Sequence, residues 1–244
     1  MKTEYYRLVE ELRNFFKRVH QKKAVVGVSG GVDSAVVLKL CCDALNPKNV
    51  TALLMPEVGL TLQSNIDDGL SIARKLKVKA VQVPINPFLE AFSGLPWKQS
   101  KVALMNIKAR IRALLLYNYA NSNNTLVVGT SNKSEILLGY GTKYGDLACD
   151  VLPIGDLLKT QVYEVARFLE IPEVFLKKKP TAELTVGQTD EADLGASYTK
   201  LDAILRKVLL DEKLNKKDNL VKKTLQRMER NKHKRESAPI IELK

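Results

Sequence analysis

The stretch AVVGVSGGVDSAVVLKL, residues 24–40, passes from an apolar run into a glycine turn and then into apolar residues at helical spacing. Ala24, Val25 and Val26 read as a short strand buried on both faces, and Val36, Val37, Leu38 and Leu40 as one side of a helix. The turn between them needs positive φ and close backbone approach, which Gly30 and Gly31 supply without a Cβ clash. Free amides at the start of the helix, with the positive end of its dipole, then face an anion. Ser29 and Ser34 add hydroxyls, and Asp33 adds a carboxylate. The lysine of the GxxxxGK[ST] loop is missing, which argues against kinase-like transfer of a γ-phosphate.

Working outward, strands are expected at residues 24–28, 50–55, 80–83 and 125–128, each short, apolar and followed by a turn signal. Helices are expected at 33–45, 61–76, 98–120, 132–138 and 160–169, with more helices toward the C-terminus. At the N-terminus, Tyr6, Val9, Leu12, Phe15, Phe16 and Val19 fall on one helical face. This alternation predicts an α/β fold, a doubly wound parallel sheet with helices on both faces and a helical C-terminal part. Ligands of such sheets bind beyond the carboxyl ends of the strands. A second turn there, Gly129-Thr130-Ser131-Asn132-Lys133-Ser134-Glu135, follows the strand near Leu126. If the two strands are neighbours, Thr130 and Glu135 share a crevice with Ser29 and Asp33. Asp33 and Glu135 together suit Mg²⁺, which binds through one or two carboxylates plus phosphate oxygens and water.

The 244 residues suffice for a full core, and a single domain, 1–244, is expected. No apolar segment approaches the roughly 18–20 residues needed to span a bilayer, and the N-terminal stretch lacks a signal-peptide core. A cytoplasmic location and no membrane partner are expected. Cys41, Cys42 and Cys149 form no CxxC, and Cys41 and Cys42 read as packing residues. His20 and His233 are too few for a histidine metal site. The net charge of +12 invites a nucleic-acid reading, but residues 200–235 alone hold thirteen Lys or Arg against five Asp or Glu. There Leu201, Leu205 and Val208, then Val221, Leu225 and Met228, keep helical spacing with no aromatic ring interleaved. The excess is a solvated basic face, and no nucleic-acid partner is expected.

SGGVDS resembles the pyrophosphate loop of the N-type ATP pyrophosphatases. Further blocks then make the resemblance specific: NIKARIR at 106–112, GTSNKSEILLGYGTKYGDLACDVLPIGDLLKTQVYEVARFLEIP at 129–172, KPTAEL at 179–184, GQTDEADLGASYTKLD at 187–202 and HKR at 233–235. In order and spacing they are similar to the motif series of the NAD synthetases over nearly the whole chain. That family adenylates deamido-NAD with ATP, releasing pyrophosphate, and lets ammonia displace AMP to give NAD. The resemblance implies a five-stranded sheet of the adenine nucleotide alpha hydrolase type, Rossmann-like. It implies that Gly27, Val28, Ser29, Gly30, Gly31, Val32, Asp33, Ser34, Thr130, Lys159 and Thr181 contact ATP. Asp33 and Glu135 would hold Mg²⁺, with Asp33 and Lys159 the catalytic pair. Arg110, Lys143, Asp150, His233 and Lys234 would contact deamido-NAD. A homodimer with the dinucleotide across its interface is also implied.

Acyl transfer through an adenylate is chiefly a matter of positioning and charge neutralisation, so no Ser-His or Cys-His pair is needed. Residues 181–189, with Gly187 among them, are expected to form a mobile lid that keeps water from the reacting centre. Only about 23 residues precede the first strand, so no glutaminase domain is expected and free ammonia is the nitrogen donor. Departures from the family pattern stand at Gly141, where an aromatic is common, and Leu147, where a glycine is common. Three rivals remain on residue grounds: another adenylating amidotransferase or a tRNA-thiolating enzyme of the same superfamily, for which Cys149 is the one candidate thiol, a basic RNA-binding module without turnover, and a universal-stress-like ATP binder that releases no pyrophosphate.

Overall fold

The computed structural model describes residues 2–243. The first half runs α1 (Lys2–Arg18), β1 (Ala24–Gly27), α2 (Val32–Leu45), β2 (Val50–Leu54), α3 (Gln63–Lys75), β3 (Lys79–Gln82), α4 (Asn86–Glu90) and α5 (Lys101–Asn123). The second runs β4 (Leu126–Val128), α6 (Lys133–Leu138), α7 (Lys159–Phe168), α8 (Glu173–Lys177), α9 (Asp190–Leu194), α10 (Tyr198–Leu209) and α11 (Asn219–Arg230). The strands form one parallel sheet in the order β3-β2-β1-β4, with Ala24 beside Val50 and Leu126.

Alternate strand residues enter two cores. Ala24, Val26, Ala52, Leu54 and Val128 pack with α1, α2 and α7, while Val25, Leu53 and Val127 pack against Ile111 and Ala120 of α5. Helices on both faces explain why β1 is apolar at successive positions rather than alternating. A third cluster, Leu138, Leu158, Leu201 and Leu205, ties α6 and α10 to the C-terminal part.

The sheet has four strands among the described residues, not five. Where a fifth would extend it, the chain makes a single parallel bridge, Val128 to Val151, with Gly129 N–H donating to Val151 O and Asp150 N–H to Val127 O. Pro153 follows two residues after Val151, and a residue without an N–H ends the ladder there. The α1 face also differs from its expected register. Tyr5, Val9, Leu12 and Phe16 are buried, whereas Tyr6 is 57% and Val19 38% exposed. Spacing of four, three and four makes the stripe, and Tyr5 anchors it by donating to Asp43 of α2. Helix α5 starts at Lys101 rather than 98 because Ser100 Oγ accepts the Ala103 N–H and caps it. Cys41 and Cys42 are buried packing residues of α2.

Candidate active site

Beyond the carboxyl ends of β1 and β4 lies a cleft of about 1000 Å³. All of Gly27, Val28, Ser29, Gly30, Gly31, Val32, Asp33 and Ser34 line it, as do Thr130, Glu135, Lys159, Thr181 and Lys234. The neighbouring strands therefore bring the two glycine-containing turns into one crevice.

The first turn is shaped by one glycine. Gly30 has φ +79°, and a Cβ there would lie 2.2 Å from the Asn65 carbonyl oxygen of α3. Gly31, expected to share the positive φ, is extended (φ −94°, ψ 164°) and is the N-cap of α2. It carries no capping side chain, so the first-turn amides of α2 keep their place for an anion. The two serines brace the turn from within. Ser34 Oγ donates to Gly31 O at 3.0 Å, the Ser29 N–H donates to Ser34 Oγ at 3.3 Å, and the Gly31 N–H donates to Ser29 Oγ at 3.2 Å.

Asp33 and Glu135 come from the first turns of α2 and α6, and Lys159 from the first residue of α7. The Lys159 ammonium, 2% exposed, donates to Asp33 Oδ2 and lies 3.3 Å from Glu135 Oε1. Asn132 ties the carboxylates together: its Nδ2 donates to Asp33 Oδ1 at 3.0 Å, and it forms a capping box with Glu135. Burial pushes the Glu135 carboxyl up against the pull of Lys159. Burial also works against the Lys159 charge, yet Asp33 and then Glu135 outweigh it and hold the ammonium above its ordinary range.

Behind this trio stands Asp202 of α10, 1% exposed. It accepts from Ser134 Oγ at 2.5 Å and from the Thr160 N–H at 2.8 Å, while Ser134 Oγ accepts the Lys159 N–H at 2.9 Å. One carboxylate thereby caps α7 and fixes it against α6, the helices that carry Lys159 and Glu135. Asp190, also buried, accepts from the Tyr140 and Tyr198 hydroxyls at 3.0 and 3.1 Å, and the Tyr198 ring lies 5.3 Å from Lys159 Nζ. Asp190 and Asp202 stand inside a motif quoted above, but the sequence carried no sign of their partners. Asn132 did carry one, the N-cap pattern with Glu135 three residues on.

The remaining expected residues divide. Arg110 donates to Lys143 O at 3.3–3.4 Å, and Lys143 Nζ reaches His233 O at 2.7 Å, so these three gather on an exposed patch that does not line the cleft. Lys234 Nζ donates to Gly139 O and Gly141 O at the cleft edge. Asp150 stands apart, accepting the Val127 N–H at 2.7 Å and the Tyr117 hydroxyl at 3.3 Å. The departures at 141 and 147 are one exchange of volume. A Cβ on Gly141 would meet the Leu147 side chain at 2.8 Å, so the leucine fills the space that a larger residue at 141 would take.

The donor set fits a small hard cation: two carboxylates, from Asp33 and Glu135, at the phosphate turn. Among the described residues no cluster of three or more His, Cys, Asp or Glu offers a competing site. Burial and then Asp150 push the Cys149 thiol up to about 11, away from the thiolate form.

A family model described as NAD synthase matches residues 4–238. An NH3-dependent NAD⁺ synthetase of Archaeoglobus fulgidus is 41% identical over 98% of each chain. Among solved structures, NMN synthetase from Francisella tularensis superposes with a TM-score of 0.90, at 33% identity and covering 100% of this chain and 99% of its own. NH3-dependent NAD synthetase from Campylobacter jejuni superposes with a TM-score of 0.84, at 36% identity and covering 99% and 98%.

Proposed function

This chain belongs to the NAD synthase family and is a ligase that amidates deamido-NAD to NAD with ATP and ammonia, and on that premise we propose how its residues divide the work. Gly27, Val28, Ser29, Gly30, Gly31, Val32, Asp33 and Ser34 hold the ATP phosphates, aided by Thr130, Lys159 and Thr181. The observation that carries this reading is the buried Lys159 ammonium set between Asp33 and Glu135 beside a helix N-terminus with no capping side chain.

In the first step a nicotinate carboxylate oxygen attacks the α-phosphorus and pyrophosphate leaves. In the second, ammonia attacks the acyl carbon, loses a proton and displaces AMP. Lys159 and the α2 amides meet charge that grows on the leaving pyrophosphate, in a crevice where such contacts are stronger than in water. Asp33 and Glu135 are the residues that would hold Mg²⁺, which supplies neutralisation of phosphate charge when bound. Arg110, Lys143, Asp150, His233 and Lys234 bind deamido-NAD, the Arg110 guanidinium being suited to a bidentate phosphate contact.

The site is completed in a homodimer. Helix α5 leaves Val102, Leu104 and Leu114 exposed, and Leu114 lies one turn from Arg110, so a second copy covering α5 adjoins the dinucleotide patch. We read residues 1–244 as one domain that uses ammonia. We place it in the cytoplasm, where the buried free thiols Cys41 and Cys42 stay reduced. No described helix is long and apolar enough to cross a membrane.

The test is incubation with ATP, Mg²⁺, ammonium and either deamido-NAD or nicotinate mononucleotide, following NAD or NMN, AMP and pyrophosphate. Equimolar NAD, AMP and pyrophosphate are expected, and Asp33→Asn should lower kcat by about 100-fold or more while leaving the fold intact. The mononucleotide arm answers the similarity to an NMN synthetase. Faster turnover of the mononucleotide would remove Arg110, Lys143 and His233 from the assigned dinucleotide contacts.

A further inference from the structure

Asn65 lies in the first turn of α3, 8% exposed, with both ends of its amide engaged. Its Oδ1 accepts from Lys178 Nζ at 2.5 Å, and its Nδ2 donates to Glu183 Oε1 at 2.7 Å. These two partners bracket Thr181, so one side chain grips both ends of the segment that carries it. The same residue's carbonyl oxygen packs against Gly30, and Lys178 donates to Gly30 O at 3.3 Å while pairing with Asp68. The segment and the phosphate turn are therefore seated on one point of α3.

Glu183 supplies an independent sign that this grip matters. It is a non-glycine residue at φ +49°, a left-handed conformation that L side chains seldom adopt. Nothing local favours glutamate there. It is held by its carboxylate, which also accepts the Leu62 N–H at 3.1 Å, and by its own N–H, which donates to Thr181 Oγ1 at 3.0 Å. Because the Thr181 oxygen accepts that bond, its hydroxyl proton is left to donate into the cleft that Thr181 lines.

We propose that Asn65 is a positioning residue for the ATP step, clamping residues 178–183 onto α3 so that Thr181 presents a hydroxyl donor beside the phosphate turn; this rests on the reading that the turn binds ATP. Only an amide suits the place. It offers an oxygen to the Lys178 cation and an N–H to the Glu183 carboxylate, whereas a carboxylate at 65 keeps the first contact and repels the second.

That asymmetry defines the experiment. Asn65→Asp should open the segment, raising the rate of chymotryptic cleavage after Leu184 and the KM for ATP by about tenfold each, the size of one lost hydrogen bond, with kcat less affected. Adding Glu183→Gln restores a donor opposite a carboxylate, since the amide placed at 183 can give its N–H to the carboxylate placed at 65, at the expense of the Leu62 N–H, which shares the same Glu183 oxygen in the parent protein. The double variant should recover part of the loss in both readouts, about threefold or more over the single variant. A merely structural loss would not be repaired by a second change across the contact. Asn65→Asp behaving as the parent, or a double variant as impaired as the single one, overturns the proposal. Cleavage that opens and is rescued while the KM for ATP stays fixed overturns its role in the ATP step. Failure of the underlying reading shows separately, because the parent protein would then bind no ATP in the same titration.

Discussion

Lys159→Met deletes a buried charge while keeping an unbranched apolar stem, and its cost follows from the surroundings. The ammonium is 2% exposed and its partners Asp33 and Glu135 are 17% and 15% exposed, so its loss leaves two carboxylates facing each other with little solvent. Removing one partner of a buried ion pair costs about 3–5 kcal/mol. Two features hold the cost to the lower end. The carboxylates keep some contact with water, and burial, which already favours the neutral form of Glu135 against the pull of Lys159, lets that carboxylate take up a proton once the cation is gone. About 3 kcal/mol in a chain of this length lowers the melting temperature by roughly 6–12 °C. Calorimetry of the ligand-free protein at neutral pH measures it. Adding Glu135→Gln to Lys159→Met should recover part of the loss by removing the repulsion. A single variant that melts within 2 °C of the parent, on the order of noise for such a loss, or a double variant that melts lower than the single one, would refute the reasoning that the trio is held by charge.

Gly30→Ala adds a Cβ at a positive φ and against the Asn65 carbonyl oxygen. The left-handed conformation alone costs about 1–2 kcal/mol, and the turn must shift, so both thermal stability and ATP affinity should fall. Titration calorimetry with ATP checks the second. For Cys149, a thiol raised to about 11 is protonated through the neutral range, so raising pH is what activates it. Its alkylation by iodoacetamide at pH 8 should be about 100-fold slower than that of an ordinary cysteine and climb about tenfold per pH unit. Peptide mass spectrometry after timed quenching reads it out.

Much of the Asp33, Glu135 and Lys159 trio was legible because it depends on short-range rules. A strand, a glycine turn and a helix start put Asp33 at a known place, and the same logic at residues 129–135 put Glu135 there. The residues proposed to bind the dinucleotide were harder, since Arg110, Lys143 and His233 come from three separate parts of the chain and meet only on an exposed patch. The fifth strand and the Tyr6 face failed for different reasons. Pro153 cuts the ladder after one bridge, and a stripe that begins at Tyr5 instead of Tyr6 is fixed by Asp43, 38 residues away.

By itself the sequence determined the layer architecture, the glycine turn after β1 and the carboxylates beside it, because apolar period, glycine freedom and helix-terminus chemistry are local properties. Only the tertiary structure decided that Lys159 is the buried counter-ion of both carboxylates, that Asp202 caps the helix behind it, and that Asn65 joins α3 to the Thr181 segment. These contacts join residues dozens of positions apart or more. Their strength comes from the loss of water around them, which exists only once the layers have packed.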